Sequence, residues 1–153
     1  VVPRDAKPGS YNSILQLKAY SLDKEELLEV EEIPVSILVG DKHNPNAEMR
    51  SILINKVEEG HLISLDLKNT GNISISPEAE VIITNNKDEF VERLNLKLPE
   101  GDEKVIPLRS QQLTGTARKL APGEYKLEIK IFDGQKEIKT IEEKIKVSET
   151  KSF

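Results

Sequence analysis

The chain has 153 residues, a net charge of −5 and 32% charged side chains, with lysine and glutamate interleaved along the sequence. No basic face is evident that could release counterions from a phosphate backbone, which argues against nucleic-acid binding. The absence of cysteine excludes disulfides, thiolate metal sites and cysteine nucleophiles. No apolar run is long enough to span a bilayer, and 37% hydrophobic residues suffice for one core of ordinary domain size.

One turn-and-strand motif occurs near each end of the chain. In both copies a Pro-Gly turn places a tyrosine at the start of a strand with alternating apolar residues. The copies are Pro8-Gly9-Ser10-Tyr11 and Pro122-Gly123-Glu124-Tyr125. A β-sandwich enters a late central strand in this way, so two copies predict two sandwich domains. Because such a domain needs about seven strands and about 100 residues, we expect residues 1–40 to be the C-terminal hairpin of an incomplete upstream sandwich.

The predicted hairpin has two strands. Residues 11–20 alternate in polarity and predict the first strand, and residues 31–39 predict the second. Pro34 faces away from the apolar side of the second strand, which indicates either an edge strand or one ladder hydrogen bond that is not made. Between the strands, residues 21–28 fit either a short helical turn or a plain hairpin loop. The apolar face of the second strand comprises Ile33, Val35, Ile37 and Val39.

Residues 41–46 are rich in turn formers and are predicted to link the hairpin to the next domain. Asp41, Asn44 and Asn46 place three oxygen donors in this linker. Oxygen is the ligand that calcium prefers, so these residues are weak calcium candidates. Turn chemistry already accounts for all three, and no metal or other cofactor is predicted.

A complete antiparallel sandwich is expected over residues 47–148, followed by a tail over residues 149–153. Strand periodicity and turn signals predict strands at residues 49–57, 61–69, 73–84, 90–98, 105–108, 125–131 and 138–147. Residues 109–119 are polar and are interpreted as a connecting stretch. The predicted inward side chains include Ile63, Leu65, Leu67, Ala79, Val81, Ile83, Leu127, Ile129 and Ile131.

The sequence offers no arrangement typical of an enzyme. Its two histidines, His43 in the linker and His61 at a strand start, are expected to be solvated loop residues and not parts of a triad. Any pair chosen from 27 acidic residues would be arbitrary. No glycine-rich loop opens a helix, so nucleotide binding is unsupported. We therefore expect a protein that is not an enzyme.

At Tyr125 the chain resembles the immunoglobulin-like fold, in which a corner tyrosine bonds back to upstream backbone. Tyr11 would be the corresponding corner of the upstream copy. Leu127 takes the position of the cysteine of antibody domains, and the chain has no tryptophan. Together with Asn69-Thr70-Gly71-Asn72, these features resemble repeat modules of bacterial surface and envelope proteins. The resemblance implies an extracytoplasmic spacer, adhesion platform or carbohydrate-associated domain, with any signal or anchor outside these residues.

A second resemblance is to two-domain periplasmic pilus chaperones. Those proteins use the long last strand of their first domain to complete a subunit's unfinished sheet, and Ile33, Val35, Ile37 and Val39 resemble that strand. Gly40 stands where an anchoring basic residue would be expected.

The apolar face of the hairpin must pack against something, because an isolated two-stranded hairpin is only marginally stable. It can pack on the complete domain, or two chains can form a homodimer through residues 11–39. The sequence therefore predicts a non-enzymatic structural or binding module whose partner is a protein or a cell-surface glycan. Strand donation to a partner and an accessory role in a carbohydrate-active enzyme are the alternatives.

Overall fold

A computed structural model describes residues 2–23 and 25–148. The predicted tail, residues 149–153, lies outside the described residues. Within the described ranges the chain forms nine strands and no helix. The strands are β1 (Gly9–Tyr20), β2 (Leu27–Val39), β3 (Ala47–Val57), β4 (Gly60–Asn69), β5 (Pro77–Asn85), β6 (Phe90–Leu96), β7 (Ser110–Ala117), β8 (Gly123–Asp133) and β9 (Lys136–Val147).

The strands form three antiparallel sheets. β1 and β2 make a two-stranded sheet, β3-β4-β7 a three-stranded sheet and β6-β5-β8-β9 a four-stranded sheet. The two larger sheets contribute residues to one hydrophobic core. The predicted all-β antiparallel sandwich is confirmed, and its sheet orders match the A-B-E and C′-C-F-G orders of an immunoglobulin-like sandwich.

The core is built from strands whose side chains alternate. Because successive side chains of a strand point to opposite faces, one face of each strand packs inward and the other stays polar. All predicted inward residues of β4, β5 and β8 are fully buried, namely Ile63, Leu65, Leu67, Ala79, Val81, Ile83, Leu127, Ile129 and Ile131.

Two sequence predictions in the middle of the domain are wrong. Residues 105–108 form no strand, and Val105 makes only an isolated bridge to Ile75. The polar stretch that follows contains β7, which pairs with β4. Leu113 and Ala117 are its buried residues. The other residues of β7 are serine, glutamine, threonine and glycine. Two apolar residues among them give an alternation too weak to predict a strand from the sequence.

Other element bounds also differ from the expectation. The strand predicted from residue 73 begins at Pro77, and the one predicted to residue 98 ends at Leu96. The described residues between β1 and β2 form a loop without a helical turn. There the Ser21 hydroxyl accepts a hydrogen bond from the Glu26 amide at 3.2 Å.

Asn69 is a fully buried polar residue at the end of β4. Its side-chain amide donates to the carbonyls of Ile73 and Val105, both at 2.8 Å, and its Oδ1 accepts from the Gly71 amide at 2.9 Å. Burial of an amide is tolerated when its hydrogen bonds are made. These three bonds shape the turn that leads to Asn72, beside the N-terminal hairpin.

Leu127→Ala tests the role of β8. Because Leu127 is fully buried, its truncation should leave a cavity and lower the free energy of unfolding by about 2–5 kcal/mol. Leu53→Ala is the matched control, since Leu53 is 56% exposed in β3. Urea unfolding followed by circular dichroism would measure both, and equal midpoints for the two variants would contradict the assignment of Leu127 to the core.

Candidate interaction surface

The two tyrosine corners have the same local geometry. The Tyr11 hydroxyl donates to the Lys7 carbonyl at 2.7 Å, and the Tyr125 hydroxyl donates to the Ala121 carbonyl at 2.6 Å, each four residues upstream. Gly9 and Gly123 have φ angles of 147° and 150°. Glycine tolerates these values and residues with a Cβ do not. Each copy of the motif therefore starts its strand through the same turn.

The hairpins that follow the two corners also share one register. Nine consecutive pairs, from Gly9↔Val39 to Leu17↔Glu31 in β1–β2, correspond to those from Gly123↔Val147 to Ile131↔Lys139 in β8–β9. A one-residue slip would send every side chain to the other face. The match therefore makes β1 the counterpart of β8 and β2 the counterpart of β9.

The surroundings of the two hairpins differ. The inward face of β8 is buried in the core. The corresponding face of β1–β2 is open, and its six large apolar side chains are between 38% and 51% exposed. We call this the open face; it consists of Tyr11, Leu15, Leu17, Ile33, Val35 and Ile37. Contiguous exposed apolar side chains of this kind mark interaction sites on proteins.

Three of the four predicted partner-strand residues belong to the open face. Ile33, Val35 and Ile37 project from β2, whereas Val39 lies opposite Gly9 at the base of the hairpin and is half-buried. β2 is already paired with β1 along its inner edge. Donation of β2 to a partner stays a prediction.

The two outer edges of the hairpin differ in chemistry. No described strand pairs with the outer edge of β1 or of β2. β2 carries Glu29, Glu31, Glu32 and Pro34, residue types that keep edges from pairing. β1 has Lys18 as its one charged residue. The β1 edge is thus the less protected of the two.

Asn72 joins the hairpin to the sandwich. Its side-chain amide donates to the carbonyls of Pro8 at 3.0 Å and Lys42 at 2.9 Å, and its Oδ1 accepts from the Asn44 amide at 2.7 Å. Its backbone N–H donates to the Asn44 carbonyl at 3.2 Å, and its carbonyl accepts from the Ser10 amide at 2.5 Å. One residue of the sandwich thus holds the start of β1 and the linker together.

Gly71 allows this close approach. A Cβ built on Gly71 would lie 2.3 Å from the Asn44 carbonyl oxygen and 2.6 Å from the Asn46 amide nitrogen. Any larger residue would push the linker away from the turn. The turn at residues 69–72 was recognisable from its sequence, but its role as a junction was not, because its partners lie about 30 and 60 residues away in the chain.

The weak calcium candidates lie in the linker beside this turn. The Asn46 side-chain oxygen accepts from the Ala47 amide at 2.9 Å, and the Asn46 carbonyl accepts from the amides of Thr70 and Gly71. The Asp41 carbonyl accepts from the His43 amide at 3.2 Å. Within residues 2–23 and 25–148, no group of three or more acidic, histidine or cysteine side chains could hold a metal.

The expectation of two solvated histidines is wrong for His61. Its side chain is buried, and its Nδ1 accepts a hydrogen bond from the Leu120 amide at 3.1 Å. In the neutral ring this places the proton on Nε2. His43 remains exposed in the linker, with Nε2 2.9 Å from the Gly40 carbonyl oxygen. The two imidazoles thus make separate hydrogen bonds to different backbone groups.

A groove lies between the hairpin and the sandwich, with an open volume of about 680 Å³. Ile106 and Arg109 line it from the sandwich, and residues of both hairpin faces line it from the other side, namely Asn12, Ser13, Ile14, Pro34, Val35 and Ser36. The open face therefore contributes Val35 to this groove.

No protein-family model matches the chain, and no curated protein resembles it detectably in sequence. No helix in the described part of the chain has the length and apolar character needed to cross a membrane.

Tyr125→Phe and Tyr11→Phe test the two corners separately. Tyr125→Phe removes a partly buried hydrogen bond and should lower the free energy of unfolding of the sandwich by about 1 kcal/mol. Tyr11→Phe removes an exposed bond of the hairpin, so it should leave that unfolding unchanged and speed amide exchange in β1. Equal losses of global stability would contradict this separation.

Proposed function

We propose that the chain is a non-enzymatic structural module of a larger bacterial extracytoplasmic protein. In this proposal residues 47–148 form one immunoglobulin-like repeat, and β1–β2 is the last hairpin of a preceding repeat. The module acts as a spacer or adhesion platform that holds neighbouring repeats in a fixed arrangement.

The observation that carries this proposal is the duplicated hairpin. β1–β2 repeats the corner hydrogen bond, the glycine conformation and the register of β8–β9. In β8–β9 those features belong to the end of a complete sandwich. The same features in β1–β2 support a second, preceding sandwich of the same kind.

The Asn72 junction supports the spacer role in particular. Five hydrogen bonds from one residue hold the base of the hairpin and the linker on the sandwich. A short, hydrogen-bonded linker restricts the angle between neighbouring repeats, whereas a flexible linker would let them move independently.

A carbohydrate-binding role receives less support from the side chains. Among residues 2–23 and 25–148, the exposed aromatic rings lie in separate places, with Tyr11 at the start of β1, Tyr20 at its end and Phe90 in β6. Stacking on a sugar ring needs an accessible aromatic face beside polar groups that fix its orientation. The accessory role in a carbohydrate-active enzyme therefore stays the alternative.

Asn72→Asp tests whether the junction is rigid. The substitution replaces the donating amide by a carboxylate oxygen facing the Pro8 and Lys42 carbonyls, so it should weaken the junction by about 1–2 kcal/mol. ¹⁵N relaxation measures the rotational correlation time of each part. In the original chain the hairpin and the sandwich should have the same correlation time, and in the variant the hairpin should have a shorter one than the sandwich.

Asn86→Asp is the matched control, because Asn86 lies exposed in the β5–β6 turn, far along the chain from the junction. It makes the same change of charge and should leave the two correlation times equal. Independent tumbling of the hairpin in the original chain would overturn the spacer role.

A further inference from the structure

The corner at Tyr11 shows how a tyrosine corner of this molecule contacts the sandwich that follows it. The Ser10 amide donates to the Asn72 carbonyl at 2.5 Å, and the Asn72 side-chain amide donates to the Pro8 carbonyl at 3.0 Å. A Cβ built on Gly9 would lie 2.5 Å from the Asn72 carbonyl oxygen and 3.1 Å from the Asn72 Cβ. Asn72 of the following sandwich therefore lies directly on this glycine.

The corner at Tyr125 has the same backbone geometry and a different neighbourhood. The register of its hairpin, its tyrosine hydrogen bond and the φ angle of Gly123 match those of the first corner. Apart from the chain neighbours of Gly123, no atom of the described residues lies within 4 Å of a Cβ built on it. Glu124, which corresponds to Ser10, is exposed. Within the described ranges, this surface therefore repeats the first corner without an asparagine turn against it.

We propose that this second corner binds the next repeat of a tandem chain through a turn of the type Asn69-Thr70-Gly71-Asn72. The asparagine in the position of Asn72 accepts a hydrogen bond from the Glu124 amide and donates one to the Pro122 carbonyl. This contact rests on the proposed function, since it requires a repeat that follows residues 47–148. It specifies the surface that receives that repeat and the residue that the repeat must carry.

A groove beside each corner supports the equivalence. Residues 10–12 line the first groove from the hairpin, residues 106–109 line it from the following sandwich, and its open volume is about 720 Å³. The corresponding residues 124–126 line the second groove, whose open volume is about 460 Å³. The other lining residues of the second groove belong to the end of β5, the β5–β6 turn and β9. Both corners thus place the same three positions beside a groove, and only the first groove is also lined by a following sandwich.

The small size of the contact favours a repeat in the same chain over a free partner. Two hydrogen bonds from one asparagine give little affinity to a separate molecule, because association costs translational and rotational freedom. A short linker removes most of that cost by raising the effective concentration of the linked repeat. Val39 precedes such a linker at residues 40–46, and Val147 takes the corresponding position in β9.

A tandem chain tests the contact. Residues 40–148 are appended after Val147, so that Val147-Gly40 reproduces the Val39-Gly40 step of the original chain. Segmental ¹⁵N labelling of the first copy lets NMR report the exchange of its Glu124 amide alone. This exchange should be about tenfold slower than in the same tandem with Asn72→Asp in the second copy, because the added carboxylate repels the Pro122 carbonyl and loosens the turn.

Asn86→Asp in the second copy is the matched control. It makes the same change of charge at an exposed residue of the β5–β6 turn and should leave exchange at Glu124 slow. Equal exchange at Glu124 in the tandem and in its Asn72→Asp variant would overturn the proposal.

A nuclear Overhauser effect in the unsubstituted tandem gives a second readout that needs no variant to fold. The α-protons of Gly123 in the first copy should show this effect with the side chain of Asn72 in the second copy, as Gly9 and Asn72 are in contact in the original chain. Absence of the effect would contradict the proposal.

These results are separable from the spacer role, which is tested by the rigidity of the Asn72 junction in the original chain. A rigid junction there, together with fast exchange at Glu124 in the tandem, would overturn this contact and leave the spacer role standing. Independent tumbling of the hairpin in the original chain would count against the spacer role whatever the exchange at Glu124.

Discussion

The burial of one face of β8 is the constraint on which the sandwich depends. β8 lies between β5 and β9 in its sheet, so both of its edges are hydrogen-bonded. Its alternate side chains enter the core that the two larger sheets share. Leu127, Ile129 and Ile131 do so completely. The corner at Tyr125 fixes where the strand starts, and a fixed start sets the register of both neighbours. The positions of β5 and β9 follow from that register.

The same pattern has a different outcome at the N-terminal hairpin. β1 begins at an equivalent corner and pairs with β2 in the same register as β8 with β9. It lacks a neighbour at its outer edge and a sheet over its open face among the described residues. The same corner and the same register are therefore found with exposed apolar side chains in β1–β2 and with buried ones in β8. Local pattern specifies a strand's faces, and its surroundings decide whether a face is covered.

The junction connects these two parts through polar contacts. Asn69 shapes its turn from inside the sandwich, and Asn72 extends the turn to the hairpin and the linker. Gly71 permits the approach of the linker backbone. Hydrogen bonds are directional, so they fix an orientation more sharply than apolar contact of the same area.

The sequence by itself determined the all-β class, the strands with strong alternation and their buried residues, because a period of two is readable along the chain. It also determined the two corners, because a Pro-Gly turn and the tyrosine that follows it lie within a few residues of each other. It did not determine β7, whose polar sequence becomes a strand only because β4 offers its edge and the core accepts Leu113. Tertiary structure alone decided that His61 is buried against Leu120 and that Asn72 joins segments far apart in the chain. These outcomes depend on contacts between distant residues, which no local pattern encodes.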